Sequence, residues 1–95
     1  MPKLSEPEIV GRMSAAKGWE RLGDMLVRSW HFPSSRRALE FVGQVVGLAE
    51  GLGHYPDIIL SYRTVRLELS TPADGGLTEG DFALAAEIDA LPLDR

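Results

Sequence analysis

Apolar positions recur along the 95-residue chain with two different periods, and each period predicts a different kind of element. The strongest signal is helical. Ala38, Phe41, Val42, Val45, Val46, Ala49 and Leu52 follow one another at three- and four-residue steps after Ser34-Ser35, which can cap a helix beginning near Pro33. That spacing predicts one long amphipathic helix of about four to five turns. Gly43 and Gly47 lower its intrinsic stability by about 1 kcal/mol each relative to alanine. They admit two readings: close approach of another backbone, or tolerated surface positions. Gly51 and Gly53 offer the positive φ that would end the helix.

Two weaker helical patterns flank this one. Ser5-Glu6-Pro7-Glu8 has the form of a capping box with proline in the first turn, and Ile9, Val10 and Met13 give the following segment an apolar side. Gly18-Trp19 ends it. Near the other end Thr78 can cap a last helix, with Asp81 at its third position and Leu77 placed to staple onto Phe82. Leu84, Ala85, Ile88 and Leu91 continue its inner face, and Pro92 stops it.

Between the helices the period becomes two. Trp19 to Leu22 and Met25 to Phe32 read as strands joined by Gly23-Asp24. Leu26, Trp30 and Phe32 fall on one face of the second strand, with Val27, Ser29 and His31 on the other. From Asp57 to Thr71, Val65, Leu67 and Leu69 alternate with Thr64, Arg66, Glu68 and Ser70, as in a strand with a dry and a wet side. Ile58-Ile59-Leu60 reads as a further strand, either buried on both faces or lying in an interface. Asp74-Gly75-Gly76 is a turn. The order α-β-β-α-β-β-α predicts an α+β fold in which helices cover one face of a four-stranded antiparallel sheet, in one domain over residues 1–95. The other face, expected to carry Arg28, Arg66 and Glu68, is left to solvent or to a partner. Its exposed edges make strand-to-strand dimerisation an expectation.

Composition removes several chemistries from this frame. No cysteine is present, which excludes disulfides, thiolate metal sites and a cysteine nucleophile. The formal charge of -4, with Arg36-Arg37 the only basic cluster, argues against nucleic-acid binding. No apolar run reaches membrane-spanning length, so a cytoplasmic protein is expected. His54 and His31 are the only histidines, and no H-x-H or H-x₃-H spacing with Glu50 or Asp57 suggests a metal. Ser34-Ser35, Ser61 and Ser70 have no adjacent base, and Gly75-Gly76 is too short for a phosphate loop. His31 reads as a partly exposed strand residue. His54, in a turn before proline, reads either as a hydrogen-bonded structural residue or as a remnant of a site.

The segment Ala49-Glu50-Gly51-Leu52-Gly53-His54-Tyr55-Pro56 resembles the signature of the pterin-4a-carbinolamine dehydratases, in which an acid, three spacers, a His-His-Pro run, a tyrosine on the next strand and a later histidine recur. Gly18-Trp19, Trp30-His31-Phe32, Arg37-Ala38, Phe41, Tyr62, Val65, Leu69-Ser70-Thr71, Gly76-Leu77-Thr78, Asp81, Leu84-Ala85 and Ile88-Asp89 extend the resemblance over about three quarters of the chain. It implies the same α+β fold, dimers through edge strands and tetramers through the long helix. It also implies a site at Glu50, His54 and Asp81 in which Tyr55 stands where the second histidine is expected and Pro72 where the third is.

Those replacements bear directly on the chemistry that the resemblance implies. Loss of water from a 4a-hydroxytetrahydropterin needs a proton delivered to the leaving hydroxyl and another taken from a ring nitrogen, tasks suited to imidazole because its pKa lies near 6.5. A phenol with pKa near 10 is a poor acceptor at neutral pH, and proline offers neither donor nor acceptor. Two function classes follow. One is a non-catalytic, protein-binding member without cofactor or metal, compatible with a family branch that serves as a RuBisCO assembly factor, or chaperone, in alpha-carboxysome systems. The other is an active dehydratase in pterin recycling. The partner-binding surface is expected at His54, Tyr55, Arg66 and Glu68.

Overall fold

The computed structural model describes residues 2–92. The first helix, α1 (Glu6–Met13), begins where the capping box predicts: the Ser5 hydroxyl accepts from the Glu8 N–H, and the Glu8 carboxylate accepts from the Ser5 N–H. That backbone hydrogen bond holds the Glu8 carboxyl below its ordinary pKa. Strands β1 (Glu20–Leu22) and β2 (Met25–His31) form a hairpin around Gly23, whose φ of 60° suits glycine. Trp19 lies just before β1 and Phe32 just after β2, both as buried core residues. Helix α2 (Ser35–Leu52) is capped by the Ser34 hydroxyl on the Arg37 N–H. It ends at Gly53 in the left-handed region (φ 65°), while Gly51 remains helical. Strands β3 (Asp57–Ser61) and β4 (Thr64–Leu69) form a second hairpin, a 3-10 turn spans Pro72–Asp74, and α3 (Glu79–Asp89) closes the described chain short of Pro92.

All strand pairs are antiparallel and the sheet order is β1-β2-β4-β3. The register places Leu26 opposite Leu69, Arg28 opposite Leu67 and Trp30 opposite Val65, so these six side chains share the face covered by the helices. Ala38, Phe41, Val45 and Ala49 of α2 and Leu84, Ala85 and Ile88 of α3 complete the core. At its centre the Trp30 ring meets Trp19 edge-on (5.6 Å) and Phe41 at a tilt (4.8 Å), and Phe32 packs on Phe41 (5.1 Å). Such pairs contribute about 0.5–1.5 kcal/mol each beyond the area they bury.

Several expectations are corrected by this arrangement. Arg28 is on the helix-covered face, not the open one. Its alternation with Leu26 and Trp30 dictates this. The charge is accommodated by an ion pair with Asp89 of α3 (2.9 Å) and by the guanidinium lying 4.9 Å from the Trp30 ring centre. Asp89 also accepts from the Trp19 indole N–H, which ties the end of α3 to the start of the sheet. A β-carbon on Gly18 would stand 2.2 Å from the Arg28 guanidinium, so a larger residue there would displace that side chain from Asp89.

The Ile58-Ile59-Leu60 run is not buried on both faces. It lies on the edge strand β3, with Ile59 43% and Leu60 42% exposed. On α2, Val46 and Leu52 are exposed although they fit the apolar spacing, because the buried stripe is the narrower line of Ala38, Phe41, Val45 and Ala49. Nothing lies within 4 Å of where a β-carbon would stand on Gly43 or Gly47, so within this chain they are surface positions.

Candidate functional site

The site is built where the end of α2, the end of β4 and the start of α3 converge. Gly53 turns the chain out of α2, and the His54 N–H bonds back to the Ala49 carbonyl (3.1 Å), which fixes the imidazole beside the start of α3. There Asp81, fully buried at the third helical position, accepts at Oδ2 from the Thr78 N–H (2.9 Å) and from the Thr71 hydroxyl (2.9 Å). Its Oδ1 lies 2.6 Å from His54 Nε2. A carboxylate oxygen can only accept, so Nε2 carries a hydrogen and donates it. Thr71 spends its single proton on Asp81, so the Thr78 hydroxyl, 3.0 Å away, is the donor in the contact between the two threonines.

The other positions singled out from the sequence lie outside this network. Tyr55 is 64% exposed and, with Asp57, Glu68, Ser70 and Pro72, lines a shallow depression of about 100 Å³. His54 is not part of that lining; its side chain is 13% exposed and its Nε2 points at Asp81. Glu50 is exposed in the last turn of α2. Arg66 bonds Glu68 along β4 (2.8 Å) on the open sheet face. His31, on the same face, bonds Thr64 across the strand pair (2.9 Å).

The structure thus brings Tyr55, Pro72 and Glu68 to one depression and the half-buried His54 to the buried Asp81. From the sequence, Asp57 and Ser70 count only as a metal ligand and a nucleophile that the spacing argues against, and Thr71 and Thr78 only as family-like and capping positions. The hairpin could have supplied Asp57: a two-residue turn at Tyr62-Arg63 puts Ser61 opposite Thr64 and hence Asp57 opposite Glu68, as observed.

The arrangement can hold one proton on His54 against Asp81. No second imidazole faces it. The depression also falls short of the roughly 300 Å³ at which pockets begin to enclose drug-sized ligands. A larger groove of about 240 Å³ between the end of α1 and α3 has an alanine-rich floor with Phe82. Its charged groups, Arg12, Glu79 and Asp89, are all ion-paired. Among the described residues no group of three or more His, Asp or Glu side chains is placed to hold a metal ion. No described helix is long and apolar enough to cross a membrane.

Comparison with known proteins agrees with this geometry. The model of the family described as pterin 4 alpha carbinolamine dehydratase matches residues 2–91. The chain belongs to that family. A Chloroflexus aurantiacus relative named "Putative pterin-4-alpha-carbinolamine dehydratase" is 45% identical over 91 residues, covering 96% of this chain and 98% of the relative. One of the same name from Mycobacterium tuberculosis is 38% identical, covering 96% and 97%.

Two solved structures share the dehydratase fold. A Brucella melitensis transcriptional coactivator/pterin dehydratase superposes with a TM-score of 0.86 at 30% identity, over 93% of this chain and 96% of that one. A pterin dehydratase-like protein identified as a RuBisCO assembly factor in the alpha-carboxysome superposes with a TM-score of 0.66 at 28% identity, over 77% and 87%.

Proposed function

We propose that this dehydratase-family chain is a non-catalytic, protein-binding member, an assembly factor whose client is RuBisCO in an alpha-carboxysome system. One observation carries the non-catalytic part. The surviving imidazole, His54, directs its Nε2 into buried Asp81, and the positions of the other two expected imidazoles hold an exposed phenol and a proline. The likeness to the RuBisCO assembly factor supports the choice of client. If the reading holds, co-expression with RuBisCO large and small subunits raises the yield of assembled holoenzyme. Unchanged yield contradicts the client assignment.

Active dehydration of a 4a-hydroxytetrahydropterin is the second reading. It is favoured by the dehydratase names of the most similar relatives reported above and by the higher TM-score of the Brucella structure. Both readings share one further proposal. The apolar edge of β3, with Ile59 and Leu60 exposed, pairs with a second copy of the chain. Light scattering then gives at least twice the 10.4 kDa of one chain, and a monomer mass refutes the pairing.

A further inference from the structure

At the end of the sheet where β3 turns into β4, a non-glycine residue is held in a backbone conformation that suits it poorly. Tyr62 has a φ of 55°, and among the described residues it is the only one other than glycine at positive φ. A bulky side chain in the left-handed region is strained, and glycine or asparagine would occupy it at less cost. Its ring is not used to build the core. It is 74% exposed, with the Arg63 guanidinium 5.6 Å from its centre. Strained, exposed aromatic tips of this kind are expected where contact with another molecule compensates for the strain.

The charge around Tyr62 identifies what it would meet. The Phe32 N–H bonds the Arg63 carbonyl (2.8 Å), which sets the hairpin tip against the segment leading into α2, and Arg36 lies in the first turn of that helix. Among the described residues five of the chain's ten cations are ion-paired within the fold, Arg12 with Glu79, Arg21 with Glu6, Arg28 with Asp89, Arg37 with Glu40 and Arg66 with Glu68, whereas Lys3 and Lys17 are not. Arg36 and Arg63 have no ion pair among the described residues. In a chain of net charge -4, Arg63, the exposed Tyr62 and His31 thus occupy one end of the sheet, and Arg36 follows four residues after Phe32 in the first turn of α2. The depression holding Asp57 and Glu68, by contrast, lies at the other end of the β3–β4 ladder.

We infer that the Tyr62-Arg63 hairpin tip together with Arg36 is a docking surface for an acidic segment of a protein partner, the arginines pairing with carboxylates and the tyrosine packing on the chain that carries them. This rests on the protein-binding function proposed above and specifies the chemistry of the partner at this contact.

The test measures fluorescence anisotropy of a labelled oligoglutamate peptide, with oligolysine and oligothymidylate as controls. The unmodified chain binds oligoglutamate in preference to both controls. Arg36→Glu/Arg63→Glu weakens that binding about tenfold or more, and Tyr62→Asn weakens it several-fold while its melting temperature stays level or rises. That last combination separates a docking role from a structural one. Equal binding by the charge-reversed variant, or oligothymidylate bound as tightly as oligoglutamate, overturns the inference. RuBisCO assembly that fails while oligoglutamate binding follows the expected pattern overturns the client assignment and leaves this surface standing. Assembly that proceeds unchanged with Arg36→Glu/Arg63→Glu overturns the surface and leaves the client.

Discussion

Asp81→Ala is expected to destabilise the protein by about 3 kcal/mol, a fall of about 15 °C in melting temperature for a domain of this size. Asp81 is wholly buried and accepts from the Thr78 N–H, the Thr71 hydroxyl and His54 Nε2. Truncation to alanine leaves all three donors without their acceptor, the Thr78 N–H fully buried and the Thr71 hydroxyl and His54 Nε2 half-buried, and an unsatisfied buried donor costs about 1–3 kcal/mol. It also removes the carboxylate that caps the first turn of α3, worth about 1 kcal/mol on its own. Asp81→Asn should cost markedly less, because the amide oxygen keeps one acceptor and the imidazole can change tautomer to accept from the amide N–H. Thermal melts of the two variants check this. A loss below about 1 kcal/mol for Asp81→Ala would show that the network is not closed to water.

The second large effect concerns chemistry. Tyr55→His/Pro72→His returns imidazoles to the two positions from which the resemblance shows them missing, and it is expected to raise the rate of 4a-hydroxytetrahydropterin dehydration by about 10²-fold or more over the unmodified chain. Both positions tolerate the change. Tyr55 and Pro72 are exposed on the lining of one depression, and the hydrogen bonds that close the 3-10 turn run from the Asp74 and Gly75 N–H groups to Thr71 and Pro72 carbonyls, which histidine retains. His54, already held by Asp81, would then share proton transfer with groups on the other side of the turn. If the double variant folds and is no faster, the deficit lies in the shape of the depression and not in its missing proton carriers.

The fold was legible because its signals are local. Capping at Ser5 and Ser34, the buried line from Ala38 to Ala49 and the alternation of Val65, Leu67 and Leu69 each state their element through a few neighbouring residues. Charge and strand parity disagree at Arg28: parity groups it with Leu26 and Trp30, and the partners that make such a burial tolerable, Asp89 and the Trp30 ring, are distant in sequence or require the helix to be in place. Ile58-Ile59-Leu60 showed apolar character but not whether a neighbour covers it, because coverage of an edge strand depends on what lies beyond the chain.

The site was legible residue by residue and not as an arrangement. Glu50, His54, Tyr55, Pro72 and Asp81 could all be named. Which way His54 faces could not, since it depends on the left-handed turn at Gly53 and on Thr71 and Thr78 steadying Asp81. The threonine hydroxyls gave no chemical signal of their own, because threonine beside a helix start reads first as a cap.

The central claim, that this family member does not perform the family's dehydration, is tested most directly by the rate at which the unmodified chain converts 4a-hydroxytetrahydropterin at neutral pH. The account predicts a rate indistinguishable from the spontaneous one at equimolar protein, with His54→Ala causing no change. A rate well above the spontaneous one that is lost in His54→Ala would contradict it.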